Sequence, residues 1–206
     1  MRELSHCHAE KLSPCPPSLL ISYLTPGDQI VEIGCGRGVL LEQLSAQGFQ
    51  AVGVEPDRVR AQQCRAAGLC VFDGAAEALP LNDGCCDCAI LECAYSLCEP
   101  EKTRAELLRI LRPNGTLLVA DLFAEQPLCA DTTQSSLIGR LSTRAQLEED
   151  FLPEFQLTEF CDLTHSLRQY LLQQMLSGGD CALSAEDRAI LRSVKPGYGL
   201  WIWKKR

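Results

Sequence analysis

Long apolar runs are missing from this sequence of 206 residues. No stretch of about 18 or more apolar residues occurs, so no membrane-spanning helix is expected. Residues 1–17 are polar and lack the apolar centre of a secretory signal, which predicts a cytoplasmic protein. Internal repeats and low-complexity linkers are also missing, and the length suits a single domain with a full hydrophobic core.

An excess of positive charge is missing as well. The net charge is −8, whereas a protein that binds nucleic acid usually carries a basic face. The one dense basic cluster is Lys204-Lys205-Arg206 at the C-terminus, and we interpret it as a solvated tail. This balance favours a small-molecule substrate and no nucleic-acid partner, and it leaves the oligomeric state open.

Cysteine, in contrast, is abundant, with 13 residues. An odd count in a protein expected to be intracellular argues against a disulfide framework. Two groups have ligand-like spacing, Cys85 to Cys88 and His6 to His8 with Cys15, but a structural zinc site needs four ligands in tetrahedral geometry. We interpret the first group as core packing and the second as a solvated tail, so no metal site is predicted. A soft metal or metalloid acceptor stays open as an alternative, because thiolates bind soft ions.

Strand-like and helix-like segments alternate along the chain, which predicts a doubly wound, mostly parallel α/β sheet. The predicted strands cover 29–33, 50–54, 69–72, 87–91, 116–123, 156–160 and 198–204. The predicted helices cover 17–24, 38–47, 57–67, 100–111, 143–150, 166–176 and 184–193. We divide the domain into a cap segment (1–28), a cofactor-binding half (29–123), and a lid with the C-terminal half of the sheet (124–206), the lid itself being a surface loop over 128–141.

A glycine-rich segment, Val31 to Gly38, contains the end of the first predicted strand, a tight turn and the start of a helix. Glycine allows positive φ and lets a ligand lie against the main chain, whose N–H groups at a helix start face that ligand. A dinucleotide site has the spacing G-x-G-x-x-G. Here the third glycine, Gly38, comes one residue early and Val39 stands in its place, which disfavours a nicotinamide-dependent oxidoreductase.

Glu55 ends the second predicted strand, 19 residues after Gly36. In a doubly wound sheet this point borders the same crevice as the glycine turn. A carboxylate there can accept hydrogen bonds from both hydroxyls of a ribose. The alternative is an acid that only caps the end of a strand.

Four segments together resemble the class I S-adenosylmethionine-dependent methyltransferases, in particular the ubiquinone/menaquinone branch. They are Glu32 with the G-x-G-x-G turn, residues 74–81 with Leu79-Pro80, residues 87–96, and residues 109–119, which are similar to the turn R-x-L-x-P-G-G. The four fall in the family's order over residues 29–123. The resemblance implies a Rossmann-like sheet of seven strands with an antiparallel last strand, and S-adenosylmethionine as the cofactor.

By this resemblance the cofactor-binding residues are Glu32, Gly34, Cys35, Gly36, Gly38, Glu55, Pro56, Asp73, Ala75, Ala76 and Glu92. The family usually has an aspartate at the position of Ala75, which bonds the adenine amine. Either Asp73 reaches the adenine, or main-chain groups near Ala75 and Ala76 recognise it.

Glu92 follows the fourth predicted strand, where the family more often has an uncharged polar residue. It can contact the methionine ammonium group, act as a general base for the acceptor, or serve as a strand-end acid. Tyr95, Ser96 and His165 are candidate acceptor contacts. We therefore expect methyl transfer to a small molecule. The alternatives are a non-catalytic nucleotide- or metal-binding module of the same fold and a thiol-assisted metalloid methyltransferase.

Overall fold

A seven-stranded sheet forms the centre of the computed structural model, which describes residues 14–125, 139–176 and 195–206. The strands are β1 (Gln29–Ile33), β2 (Gln50–Glu55), β3 (Val71–Asp73), β4 (Cys86–Glu92), β5 (Leu111–Ala124), β6 (Phe155–Asp162) and β7 (Pro196–Lys205). Their order is β3-β2-β1-β4-β5-β7-β6. β7 runs antiparallel to both β5 and β6, and the other pairs are parallel. The predicted fold class is confirmed.

Six helices connect the strands in the described part of the chain. They are α1 (Pro17–Ile21), α2 (Val39–Ala46), α3 (Arg58–Ala66), α4 (Pro100–Ile110), α5 (Arg144–Phe151) and α6 (Thr164–Leu176). Each lies at a predicted helix, and Asp57 caps α3 as expected, since its side chain accepts from the N–H groups of Val59 and Arg60. The helix predicted at 184–193, residues 128–138 of the predicted lid, and His6 to His8 lie outside the described residues.

The turn predicted at residues 112–115 lies inside β5 instead of before it. The pairing with β4 shifts from Cys86 with Leu111 to Cys88 with Thr116, so four residues of β5 bulge out between these pairs. Asn114 takes a left-handed conformation there, with φ of 62°. Asparagine tolerates this conformation, which explains why the segment has the composition of a turn although it continues a strand.

Two apolar layers cover the sheet, and β7 contributes to both because successive side chains of a strand point to opposite faces. Trp201 and Trp203 pack on one face with α4 and α5, while Tyr198 and Leu200 pack on the other with α1 and α6. Both tryptophans are buried. Burial of a large apolar side chain contributes about 1.5–3 kcal/mol, so β7 is a main source of stability.

The basic C-terminus is part of this structure, and its interpretation as a solvated tail is wrong. The Nζ atom of Lys205 donates to the carbonyl oxygens of Leu108 and Leu111, at 2.5 and 2.7 Å. It thereby satisfies carbonyl groups at the end of α4 that have no partner inside the helix. Lys204 Nζ donates to Thr116 Oγ1 at 2.7 Å. Both lysines lie in β7 and hold it to its neighbours.

The adjacent cysteines of β4 pack in the core. Cys86 and Cys88 lie two residues apart and yet are buried in opposite layers of the sheet, because the register of β4 shifts between them. Within the described ranges, no group of three or more His, Cys, Asp or Glu side chains is placed to hold a metal ion. In the same ranges, no helix is long and apolar enough to cross a membrane.

Candidate cofactor site

The glycine-rich turn joins β1 to α2 at the carboxyl edge of the sheet. Gly34, Gly36 and Gly38 all have positive φ, at 76°, 58° and 77°. A Cβ atom on Gly34 would lie 2.8 Å from Ala94 Cβ, and one on Gly38 would lie 2.4 Å from Leu69 Cδ1. The turn therefore favours glycine at all three positions for conformation, and at Gly34 and Gly38 also for space.

Glu55 at the end of β2 fixes this turn. Its Oε2 atom accepts a hydrogen bond from the N–H of Gly36 at 2.8 Å, and its Oε1 atom accepts one from the N–H of Asp57 at 3.0 Å. The residue is only 4% exposed. The structure thus places Glu55 beside the glycine turn, as the spacing predicts. Each carboxylate oxygen has a second lone pair, which leaves acceptor capacity for hydroxyl groups. Pro56, which follows, is exposed.

A cavity of about 20 Å³ opens between the turn and the end of β4. Glu32 from β1, Glu92 from β4, and Cys35 and Arg37 from the turn line it, and Pro17 of α1 covers it. Glu32 is almost fully buried, whereas Arg37 is exposed. Burial raises the pKa of the Cys35 thiol, so this cysteine is uncharged. The fold thus brings two predicted site residues, Glu32 and Glu92, to one cavity although they are 60 positions apart in the sequence.

Residues 74–85 follow β3 and are held against α4. Glu106 Oε2 accepts from the N–H of Leu79 at 2.6 Å, and the Arg109 guanidinium donates to the carbonyl oxygens of Leu79 and Leu81 at 3.0 and 2.6 Å. The hydrogen bond from Arg109 lowers the pKa of the Glu106 carboxyl. These contacts fix the segment that contains Ala75 and Ala76. Sequence reasoning missed both anchors, although Arg109 begins one of the family-like segments.

Asp73 lies next to Glu55 in the register of β2 and β3. Its carboxylate forms an ion pair with Arg65 of α3, with both Arg65 Nη atoms 3.2 Å from Asp73 Oδ1. Both side chains are partly exposed. The Asp73 carboxylate is therefore already paired with a side chain of α3. Ala76, by contrast, is buried and packs in the core. The sequence does not predict the ion pair with Arg65. It indicates only that a helix containing Arg65 is followed by a strand containing Asp73.

Tyr95 and Ser96 lie in a short 3-10 helix, Tyr95–Leu97, after β4. The hydroxyl of Tyr95 donates to Asp150 Oδ2 at 2.9 Å, and the N–H of Ser96 donates to Asp121 Oδ2 at 2.8 Å. Both residues are buried. These two candidate acceptor contacts therefore form hydrogen bonds within the protein that fix the 3-10 helix after β4.

Asp121, three residues before the end of β5, is a further buried acid that sequence reasoning missed. Its Oδ2 atom accepts from Ser96 and its Oδ1 atom accepts from the N–H of Leu122 at 2.7 Å. Burial raises the pKa of its carboxyl to about 6, although the hydrogen bonds from Ser96 and Leu122 oppose this rise. The only signal in the sequence is an acid within an apolar strand.

Thiols and tyrosines meet at the carboxyl edge, on the face that α1 and α6 cover. Cys93, with φ of 52°, has its Sγ 3.1 Å from the hydroxyl of the buried Tyr198. Cys161 of β6 has its Sγ 3.4 Å from the hydroxyl of Tyr23. Burial, with the charges of Glu92, Cys93 and Cys161, raises the pKa of the buried Cys15 thiol. The sequence indicates many cysteines but not this grouping.

His165, the third candidate acceptor contact, is exposed at the second position of α6. It is not among the described residues that line the cavity with Glu32 and Glu92.

A sheet of this strand order, with a glycine-rich turn after β1 and an acid at the end of β2, is the fold of the class I S-adenosylmethionine-dependent methyltransferases. Residues 31–119 match the methyltransferase domain family. An uncharacterised methyltransferase of Mycobacterium tuberculosis is 30% identical over 115 residues, which are 52% of this chain and 46% of that relative. The demethylmenaquinone methyltransferase of Renibacterium salmoninarum is 27% identical over 99 residues, 47% of this chain and 42% of its own.

Solved structures show the same fold at low sequence identity. The geranyl diphosphate C-methyltransferase of Streptomyces coelicolor, solved with Mg²⁺, geranyl diphosphate and S-adenosylhomocysteine, superposes with a TM-score of 0.76 at 16% identity, covering 92% of this chain and 77% of that chain. The [4+2]-cyclase SpnF superposes with a TM-score of 0.73 at 20% identity, covering 92% and 80%. The predicted resemblance is confirmed. The chain spans about half the length of the curated relatives it matches.

Proposed function

We propose that this protein transfers the methyl group of S-adenosylmethionine to a small-molecule acceptor. The observation that carries the proposal is Glu55, which lies beside the glycine turn with its Oε2 atom 2.8 Å from the main-chain nitrogen of Gly36. The relatives named as methyltransferases support it. The cofactor supplies an electrophilic methyl group, so the chain's own residues have to bind, orient and exclude water.

The proposed contacts fall on three parts of the cofactor, which are the ribose, the methionine and the adenine. Glu55 accepts from the ribose hydroxyls, with Pro56 beside it. The turn Gly34 to Gly38 offers its main chain, and Glu32 and Glu92 face the methionine part from the cavity that Cys35 also lines. This assignment is supported by the common location of these groups at the carboxyl edge, where ligands bind in open α/β sheets.

For the adenine we favour the main chain of Ala75 and Ala76 over Asp73. The Asp73 carboxylate is engaged with Arg65, and its release would break that ion pair. The segment with the two alanines is held by Glu106 and Arg109, so its main-chain groups are already ordered for a ligand.

We place the acceptor on the α1 and α6 face, beside Cys93 and Tyr198. In this arrangement α1 of the cap segment and α6 of the C-terminal half cover it. Tyr95 and Ser96 support the neighbouring turn, and His165 is a candidate only at the outer rim. No described group of side chains favours a metalloid acceptor.

Calorimetric titration with S-adenosylhomocysteine tests the proposal on metal-stripped protein. We expect micromolar affinity for the wild type, a strong loss in Glu55→Ala, and no change in Glu149→Ala, an exposed acid of α5. Absence of binding to the wild type would overturn the proposal. Binding without turnover of any acceptor in a screen of quinols, phenols, amines and thiols would favour a binding module instead. A fold shared with a cyclase makes this turnover test necessary.

A further inference from the structure

A short turn, residues 93–97, follows β4 and borders the cofactor cavity. It comes directly after Glu92, which lines that cavity, and it ends with the 3-10 helix Tyr95–Leu97. Cys93, its first residue, has a left-handed conformation with φ of 52°. This conformation is unfavourable for residues other than glycine, so the β4 turn keeps its shape only through contacts with the surrounding structure.

The β4 turn packs directly against the glycine-rich turn that follows β1. A Cβ atom on Gly34 would lie only 2.8 Å from the Cβ of Ala94, so the two turns approach as closely as the absence of a side chain on Gly34 allows. Because closely packed atoms transmit a displacement to their neighbours, a shift of Ala94 also moves the glycine-rich turn. The two turns therefore form one packed unit at the cavity.

Asp121 of β5 holds the β4 turn in place. Its Oδ2 atom accepts a hydrogen bond from the N–H of Ser96 at 2.8 Å, and its Oδ1 atom accepts one from the N–H of Leu122 at 2.7 Å. The residue is 2% exposed, so water does not compete for these hydrogen bonds. Hydrogen bonds to a charged acceptor are stronger than those between neutral groups. One buried carboxylate thus ties the β4 turn to the strand beside β4.

Packing alone does not explain an acid at this position of β5. Val119 and Phe123 flank Asp121 on the same face of the strand, and both belong to the apolar core. An apolar side chain there would be buried without the cost of desolvating a carboxylate. The donors described for Asp121 outside β5 belong to the β4 turn. What the acid adds to the structure is therefore the position of this turn.

We propose that Asp121 is a positioning residue of the cofactor site. By holding Ser96, it keeps Ala94 packed against Gly34 and so fixes the two turns that border the cofactor cavity. This inference rests on the proposed function. A ligand that binds to turns already ordered loses less free energy to their ordering, so Asp121 raises the affinity without touching the ligand.

Calorimetric titration of the full chain with S-adenosylhomocysteine tests this role. In Asp121→Asn we expect the affinity to fall about tenfold, because an amide is a weaker acceptor and its NH₂ group cannot accept from the N–H of Ser96. Asp87→Asn is the matched control, since the Asp87 carboxylate accepts from the N–H of Gln29 at 2.9 Å. The same change there removes the same kind of contact at the opposite, amino edge of the sheet, and should alter the affinity less than about twofold.

The rate at which iodoacetamide alkylates Cys93 reports the β4 turn directly. Cys93 is exposed, and its Sγ lies 3.1 Å from the hydroxyl of Tyr198. When the turn loosens, this contact is lost, so we expect Cys93 to react several times faster in Asp121→Asn than in the wild type. Peptide mass spectrometry resolves the site of labelling, and the exposed Cys70, between α3 and β3, is the internal reference.

Two further variants separate the position of the turn from folding. Ala94→Val leaves Asp121 unchanged but enlarges the side chain that meets Gly34, and it should also weaken S-adenosylhomocysteine binding. Asp121→Ser is too short to reach Ser96, and it replaces Asp121→Asn in the comparison if melting curves show that the asparagine variant does not fold.

An affinity of the Asp121 variant within about twofold of the wild type would overturn the inference. An equal loss in Asp87→Asn would overturn it as well, because it would trace the effect to general stability. A loss of affinity with an unchanged alkylation rate at Cys93 would show that Asp121 does not act through the β4 turn. If the wild type does not bind S-adenosylhomocysteine, the proposed function fails, whereas wild-type binding with unchanged affinity in the variants refutes only the role of Asp121.

Discussion

Glu55 Oε2 and the main-chain nitrogen of Gly36 are 2.8 Å apart, so one buried carboxylate joins the end of β2 to the middle of the glycine turn. This hydrogen bond fixes the position of the turn relative to the end of β2. A hydrogen bond to a charged acceptor is stronger than a neutral one, which suits a turn whose glycines give little conformational restraint. Binding geometry and local stability therefore depend on the same side chain.

Replacement of Gly38 by alanine should destabilise the protein by about 2–4 kcal/mol. The new Cβ would meet Leu69 and the strained positive φ would add about 1 kcal/mol. Gly48→Ala is the matched control, because its φ is also positive, at 82°, but nothing lies within 4 Å of the new Cβ. Urea unfolding of both variants measures the difference. Equal losses of stability would show that φ alone, and not space, requires glycine in the turn.

Replacement of Arg109 by alanine should weaken S-adenosylhomocysteine binding severalfold by releasing the segment with Ala75 and Ala76. The guanidinium holds two carbonyl oxygens of this segment as well as Glu106. Arg109→Lys should recover little, because an ammonium group cannot reproduce the fork of donors. Arg60→Ala, on the exposed side of α3, is the control. An affinity in Arg109→Ala equal to that of the wild type would contradict the proposed adenine contact.

Replacement of Asp73 by asparagine decides how adenine is recognised. If main-chain groups of Ala75 and Ala76 do this work, the affinity for S-adenosylhomocysteine should stay within about twofold of the wild type, since an exposed ion pair contributes little. Arg65→Ala should behave in the same way. A tenfold loss in Asp73→Asn without a loss in Arg65→Ala would instead show that the Asp73 carboxylate leaves Arg65 and bonds the adenine.

The sequence predicts the local features of this fold well, because they depend on neighbouring residues. The alternation of strands and helices, the cap at Asp57 and the glycine turn all belong to this group. The location of Glu55 beside Gly36 also follows, since the topology brings the ends of β1 and β2 to one edge.

Contacts between distant segments could not be predicted in this way. The partners of Tyr95 and Ser96 lie 55 and 25 residues away, and only the three-dimensional packing shows that these side chains face inwards. The same holds for the basic C-terminus, since Lys205 reaches α4 across 97 residues. Charge and polarity alone assign such residues to the surface or to a ligand, whereas tertiary hydrogen bonds place them inside.

The stability difference between the wild type and Asp121→Asn should depend on pH. Burial raises the pKa of Asp121 to about 6 in the folded state, from 3.8 in the unfolded chain. Between these values the folded state binds the proton more tightly, so the contribution of Asp121 is most favourable below about pH 4 and declines as the pH rises to about 6. Above pH 6 the carboxylate is charged in both states and its contribution is constant. The asparagine variant lacks this titration, although it also loses acceptor capacity at Ser96.

Urea unfolding of both proteins from pH 4 to pH 8 measures this effect. The wild type should lose up to about 3 kcal/mol relative to Asp121→Asn between pH 4 and pH 6, with a constant difference above that range. Asp87→Asn is a useful control, because hydrogen bonds from Gln29 and Arg112 lower the pKa of Asp87 below its ordinary value of 3.8, so its contribution is complete above pH 4 and should stay nearly constant over this range. A difference between the wild type and Asp121→Asn that does not vary with pH would mean that the buried carboxyl keeps its ordinary pKa, held down by the N–H groups of Ser96 and Leu122.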